Sequence, residues 1–163
     1  MRRNLLLLLL VALLAGCGFH PRNTLQLAEE LGPVKVETAD PYSPLAHGLS
    51  TDLRRAGAEP AVDGEPSSTL KVHSERMDTR PLSVDRAAQV REYESRYIVS
   101  FELLNAAGQP VVPLQEITLA REYTYDALDP SGSPQEQELL RTELRREMQV
   151  AILRRIGAVL RTN

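Results

Sequence analysis

The sequence predicts an α+β fold. Two helices pack on a sheet of about four strands as a two-layer sandwich, in chain order β-α-β-β-β-α. Three observations carry this. From Glu92 the chain alternates cleanly, with Tyr93, Ser95, Tyr97, Val99, Phe101 and Leu103 on one side. About Gln115 to Asp126 alternates again, with Ile117, Leu119, Arg121, Tyr123 and Tyr125 opposed to Glu116, Thr118, Glu122 and Thr124. The last thirty or so residues change to three- and four-residue steps, the period of a helix with one apolar face.

The elements follow in order. Val34-Lys35-Val36-Glu37 is a short alternating strand. Asp40-Pro41-Tyr42-Ser43-Pro44 turns the chain, and Ser43 caps a helix whose first position is Pro44. Leu45, Leu49 and Leu53 line one face of that helix, which ends near Ala56-Gly57. Pro60 to Ser68 is a polar loop, and a strand starts near Thr69 with Leu70 and Val72 on one face. Met77 to Arg91 reads either as a long hairpin or as a mobile loop, because it holds no strong turn dipeptide. Asn105 to Pro110 is a turn. Asp129-Pro130-Ser131-Gly132 breaks the chain, and Ser133-Pro134-Gln135-Glu136 reads as a capping box. The helix after it runs to about Leu160, with Leu140, Leu144, Met148, Ala151 or Ile152, Arg155 or Ile156, and Val159 inward. Glu138, Arg141, Arg145 and Arg154 fall on its other face. One wet side and one packed side suit an antiparallel sheet covered on one face.

The N-terminus has a different character. Arg2 and Arg3 precede an apolar run from Leu5 to Leu14, which is too short for a membrane span of roughly 20 residues and fits a secretory signal. The run ends Leu14-Ala15-Gly16-Cys17, which resembles a bacterial lipobox, with small residues before the cysteine that would take the lipid. The chain's single cysteine cannot form an internal disulfide. The reading is therefore a signal over 1–16, a lipidated tether over 17–33 and one domain over 34–163. Cleavage before Cys17 leaves 147 residues, with 17 basic against 22 acidic and a net charge of −5. That balance argues against a nucleic-acid binder.

A search for reactive chemistry finds no catalytic set. His20, His47 and His73 are scattered without ligand spacing, so no metal or cofactor site is expected. There is no Gly-rich phosphate loop and no nucleophile elbow. Glu92 and Glu94 read as a solvated strand face rather than paired catalytic acids. Tyr93, Tyr97, Tyr123 and Tyr125 form an aromatic stripe on neighbouring strands, best explained by packing. Arg76, Arg80, Arg86, Arg91 and Arg96 gather around the uncertain hairpin, where guanidinium forks suit phosphate. Glu75, Asp78, Asp85, Glu92 and Glu94 interleave with them, so a mixed-charge hairpin is the plainer reading.

Several of these features resemble the LPS-assembly lipoprotein LptE family. They are Cys17-Gly18-Phe19-His20 after the lipobox, and Asp40-Pro41-Tyr42-Ser43-Pro44-Leu45 before the first helix. Glu92-Tyr93 opening a central strand, Arg121 with its following aromatic pair, and Gln135-Glu136-Gln137 also match, in order along the chain. The resemblance implies a non-catalytic lipoprotein anchored by Cys17 at the outer membrane, with Gly18 rather than Asp after the cysteine. It implies an LptD-type β-barrel as partner, plugged one-to-one, while lipopolysaccharide enters the outer leaflet. It also implies lipopolysaccharide contact by a basic residue six positions before Glu92, which is Arg86, with Arg91 and Arg80 nearby. A second basic position of the family falls near Ser133, which is uncharged here. The residues read alone leave another possibility open, a lipoprotein adaptor of a different envelope machine. Expressed in its own host with labelled palmitate, the wild-type chain should take up label and Cys17→Ala should take up none; equal labelling would remove the anchor.

Overall fold

The computed structural model describes residues 31–84, 90–124 and 133–161. Four strands and two helices follow in the expected order. They are β1 (Val34–Thr38), α1 (Pro44–Arg55), β2 (Ser68–Val84), β3 (Val90–Leu104), β4 (Pro110–Thr124) and α2 (Ser133–Leu160). The strands lie side by side as β1-β2-β3-β4.

The sheet is mixed rather than wholly antiparallel, because β1 runs parallel to β2. A parallel pair needs a crossover of a dozen or more residues, and α1 with its flanking loops supplies it. Met77 to Arg91 resolves as the longer arms of the β2–β3 hairpin, since β2 continues to Val84 and β3 begins at Val90. The hairpin tip, 85–89, lies outside the described residues. β4 starts at Pro110, five residues before the expected Gln115. Its two prolines are tolerable because β4 is an edge strand, with no second neighbour among the described residues requiring their missing N–H.

Local chemistry sets the ends of α1. The Ser43 hydroxyl accepts the Leu45 N–H at 3.1 Å, satisfying one of the orphan donors of the first turn. At the other end Gly57 takes φ 91°, a left-handed conformation open to glycine. The Gly57 N–H then reaches the Arg54 carbonyl and the Ala58 N–H the Leu53 carbonyl, both at 3.0 Å. This paired closure is a Schellman stop, and Leu53 and Ala58 are both buried beside it. In the β3–β4 turn Gly108 takes φ 75° while the Asn105 side chain accepts the N–H groups of Ala107 and Gln109.

The core lies between the helices and one face of the sheet. β3 sends Tyr97, Val99, Phe101 and Leu103 into it, all at most 1% exposed. Leu45, Leu49 and Leu53 cover them from α1, and Leu144, Met148, Ile152 and Ile156 from α2. The core also reaches back to Leu31, whose carbonyl accepts the Ser68 hydroxyl at 2.7 Å. Leu49 sits at the centre of α1 with no exposure. Leu49→Ala should cost about 2–5 kcal/mol, read as a fall in the urea midpoint with an unchanged slope; a loss near zero would mean that α1 is not held by this face.

Candidate functional site

The outer face of the sheet carries many charged and hydroxyl side chains. On the hairpin arms, Arg80 donates from Nε to Glu94 at 2.8 Å, Arg96 stands 4.0 Å from the same carboxylate, and Arg76 lies 3.7 Å from Asp78. The Ser83 hydroxyl bonds Glu92 at 2.6 Å. Nearer the core, His73 contacts Glu102 at 2.8 Å and Ser74 contacts Ser100 at 2.6 Å. Each exposed pair contributes on the order of 0–1 kcal/mol to stability. Their larger effect is to present alternating charge to a polar partner.

The predicted contact residues are thus distributed unevenly. Arg80 is exposed and held by Glu94. Arg91 is half-buried at the start of β3, beside the pairing of Ser83 and Val84, whereas Arg80 stands across from Glu94. Arg86 and Cys17 lie outside the described residues. The tyrosine stripe is packing: the Tyr93 and Tyr123 rings stack with centroids 5.6 Å apart and planes 16° apart, and Tyr97 is buried. Tyr125 lies outside the described residues.

One group on the inner face escaped the sequence reading. Alternation from Leu70 and Val72 puts Glu75 on the wet side. A bulge between Val72 and Ser74 reverses that parity, so Glu75 pairs with Val99 and turns toward the helices. Its Oε2 accepts the Ser43 hydroxyl and its Oε1 the Tyr97 hydroxyl, each at 2.6 Å. Ser43 therefore caps α1 and ties it to the sheet at once. A cleft of about 290 Å³ opens above this network, with Asp40, Met77 and Arg145 on its walls. Arg145, expected on the outer face of α2, is half-buried there and lies 3.6 Å from Glu138.

Burial raises the Tyr97 phenol far above its ordinary value, and the hydrogen bond to Glu75 adds to the shift. Burial also raises Tyr123, with Tyr93 contributing. Among the described residues no three His, Cys, Asp or Glu converge as a metal site. No described helix is long and apolar enough to cross a membrane.

A family model described as LptE, lipopolysaccharide-assembly, matches residues 31–156. The chain belongs to the LptE family. It is 30% identical to the LPS-assembly lipoprotein LptE of Yersinia enterocolitica, over 98% of this chain and 78% of that protein. It is also 30% identical to LPS-assembly lipoprotein LptE of Photorhabdus laumondii, over 98% of this chain and 88% of that one. Its fold is similar to the crystal structure of the rare lipoprotein B from Shewanella oneidensis, with a TM-score of 0.67 and 22% identity. That match covers 80% of this chain and 97% of the other. The two-helix, four-strand sandwich is thus the LptE fold, and the resemblance read from scattered motifs is family membership over residues 31–156.

The Tyr97–Glu75 bond makes two predictions. Folding raises the phenol pKa, so the stability it contributes is full below the unfolded tyrosine value of about 10 and is lost as pH rises above it. Tyr97→Phe should cost about 1–3 kcal/mol at neutral pH, since a hydrogen bond to a charged acceptor is lost. It should also flatten the decline in stability above about pH 10; urea titrations at pH 7 and 10.5 that show the same slope for both proteins would remove Tyr97 as the cause.

Proposed function

We propose that this LptE-family chain is an outer-membrane lipoprotein, acylated at Cys17, that partners and plugs an LptD-type β-barrel during lipopolysaccharide assembly. The observation that carries the reading is family membership across residues 31–156. The name borne by its relatives supplies the assembly role. The physics of the surface agrees with it. The interior of a large membrane barrel is polar, so a plug needs charged and hydroxyl side chains outside rather than a greasy patch. The outer sheet face meets that need with Arg, Glu and Ser held in cross-strand pairs. Acyl chains on Cys17 would keep the domain at the membrane, each buried methylene adding about 0.8 kcal/mol.

In this reading the protein does no bond chemistry; it holds shape and charge beside the lipid. Arg86 is the residue proposed to meet a lipid A phosphate or sugar acid, with Arg91 and Arg80 as further candidates. Arg80 already donates from Nε to Glu94, so it would meet a second anion with its remaining N–H groups or by leaving that carboxylate. Arg86 is therefore the residue to test first.

Tagged protein extracted from its own host in mild detergent should retain a large barrel at one-to-one stoichiometry through stringent washing. Recovery of the chain alone would remove the plug. Arg86→Glu should keep the barrel but lower lipopolysaccharide co-elution about tenfold, as loss of a charge-assisted contact implies; unchanged co-elution would leave the barrel role without direct lipid contact.

A further inference from the structure

β4 ends the sheet, and no described strand pairs with its second edge. Such an edge presents a row of unpaired N–H and C=O groups, and proteins ordinarily blunt it with proline, charged side chains, inward-pointing charges or a bulge. On β4 the prolines and bulges are confined to one end. Pro110 and Pro113 lie there, and the irregularities in the β3–β4 pairing fall beside them, between Phe101 and Leu104. From Gln115 to Thr124 the ladder to β3 is unbroken. That stretch contains no proline, glycine or lysine. Its one cation, Arg121, turns inward and donates to Glu147 on α2 at 2.6 Å.

The charge of this open stretch is one-sided. Glu116 and Glu122 lie exposed on the outer face, and neither forms an ion pair with a described residue. Glu122 stands directly opposite Glu94, a like-charge pair that is unfavourable in an isolated sheet. The Glu94 carboxylate is already occupied by Arg80 at 2.8 Å and approached by Arg96 at 4.0 Å. The outer-face cation of β3 in this stretch, Arg96, stands opposite Ala120 and is paired with Glu94 rather than with Glu116 or Glu122, and the next strand position is vacant among the described residues.

We propose that Gln115–Thr124 receives an added strand from the barrel partner, through a segment carrying Lys or Arg at two positions six residues apart. Those two cations face Glu116 and Glu122 across the new pairing. An added strand lies about 4.8 Å away, within easy reach of a lysine or arginine side chain. Main-chain hydrogen bonds supply affinity and the two cations supply register. A second copy of this chain fits less well. Antiparallel self-pairing centred on Leu119 sets Glu116 against Glu122 of the other copy, twice, and like charges directly opposite are destabilising. The barrel as the source of the strand rests on the function proposed above; the edge and its charge do not.

The test compares amide-resolved hydrogen exchange in the free full-length protein and in its detergent-solubilised complex with the barrel. Alternate amides of Gln115–Thr124 should exchange rapidly in the free protein and at least a hundredfold more slowly in the complex. A complex in which they stay fast overturns the strand addition and leaves the plug standing. Failure to form a complex overturns both. Protection that grows with concentration in the free protein assigns the edge to self-association and overturns the proposal. The double variant Glu116→Lys, Glu122→Lys should weaken barrel binding about tenfold or more with an unchanged circular dichroism spectrum, as reversing two facing charges implies. Glu65→Lys, in the loop before β2, should bind as wild type. Equal affinity for the double variant and wild type overturns the charge assignment.

Discussion

Everything in this molecule depends on one apolar column. Tyr97, Val99, Phe101 and Leu103 project from the same side of β3, and a strand flanked on both edges can hide them only by covering its face. Two helices do so, α1 with its leucines and α2 with Leu144, Met148, Ile152 and Ile156. Once that face is closed, the opposite face is left to water or to a polar partner. Hydrophobic burial on one side thus dictates a charged surface on the other. The asymmetry serves both stability and the proposed seat inside a barrel.

The network at Glu75 shows how the two layers are locked rather than merely stacked. A carboxylate facing a packed interior needs donors for its oxygens, and Ser43 and Tyr97 each give one. Ser43 belongs to the start of α1, Tyr97 to the middle of β3, and Glu75 to β2. Three elements distant in sequence therefore share one hydrogen-bonded group. The bulge after Val72 makes this possible, because without it the carboxylate would stand in solvent on the far side.

The charged hairpin and the open edge of β4 are different surfaces with different chemistry. The hairpin arms carry cations answered within the chain, as Arg80 and Arg96 are by Glu94. The β4 stretch carries acids with no described answer. The plug proposed above, meeting lipid at one place and protein at another, would use such a division. The guanidinium forks suit phosphate, and the acid-lined edge suits a basic strand.

The repeating patterns were legible in the residues. Leu45, Leu49 and Leu53 announced the inner face of α1, Ser43 and Pro44 its start, and the alternation from Tyr93 to Leu103 the core strand. Each is a local rule of period or capping, complete within a few residues. The parallel pairing of β1, the bulge that turns Glu75 inward, the early start of β4 through Pro113 and the capture of Arg80 by Glu94 were not legible. They depend on which distant segment lies alongside, and one inserted residue in a ladder reverses every side chain beyond it. The sequence alone determined the order of elements, the apolar faces of α1 and β3 and the family; only tertiary packing decided strand direction, side-chain parity past the bulge in β2 and charge partners, because those are settled between segments that local chemistry never brings together.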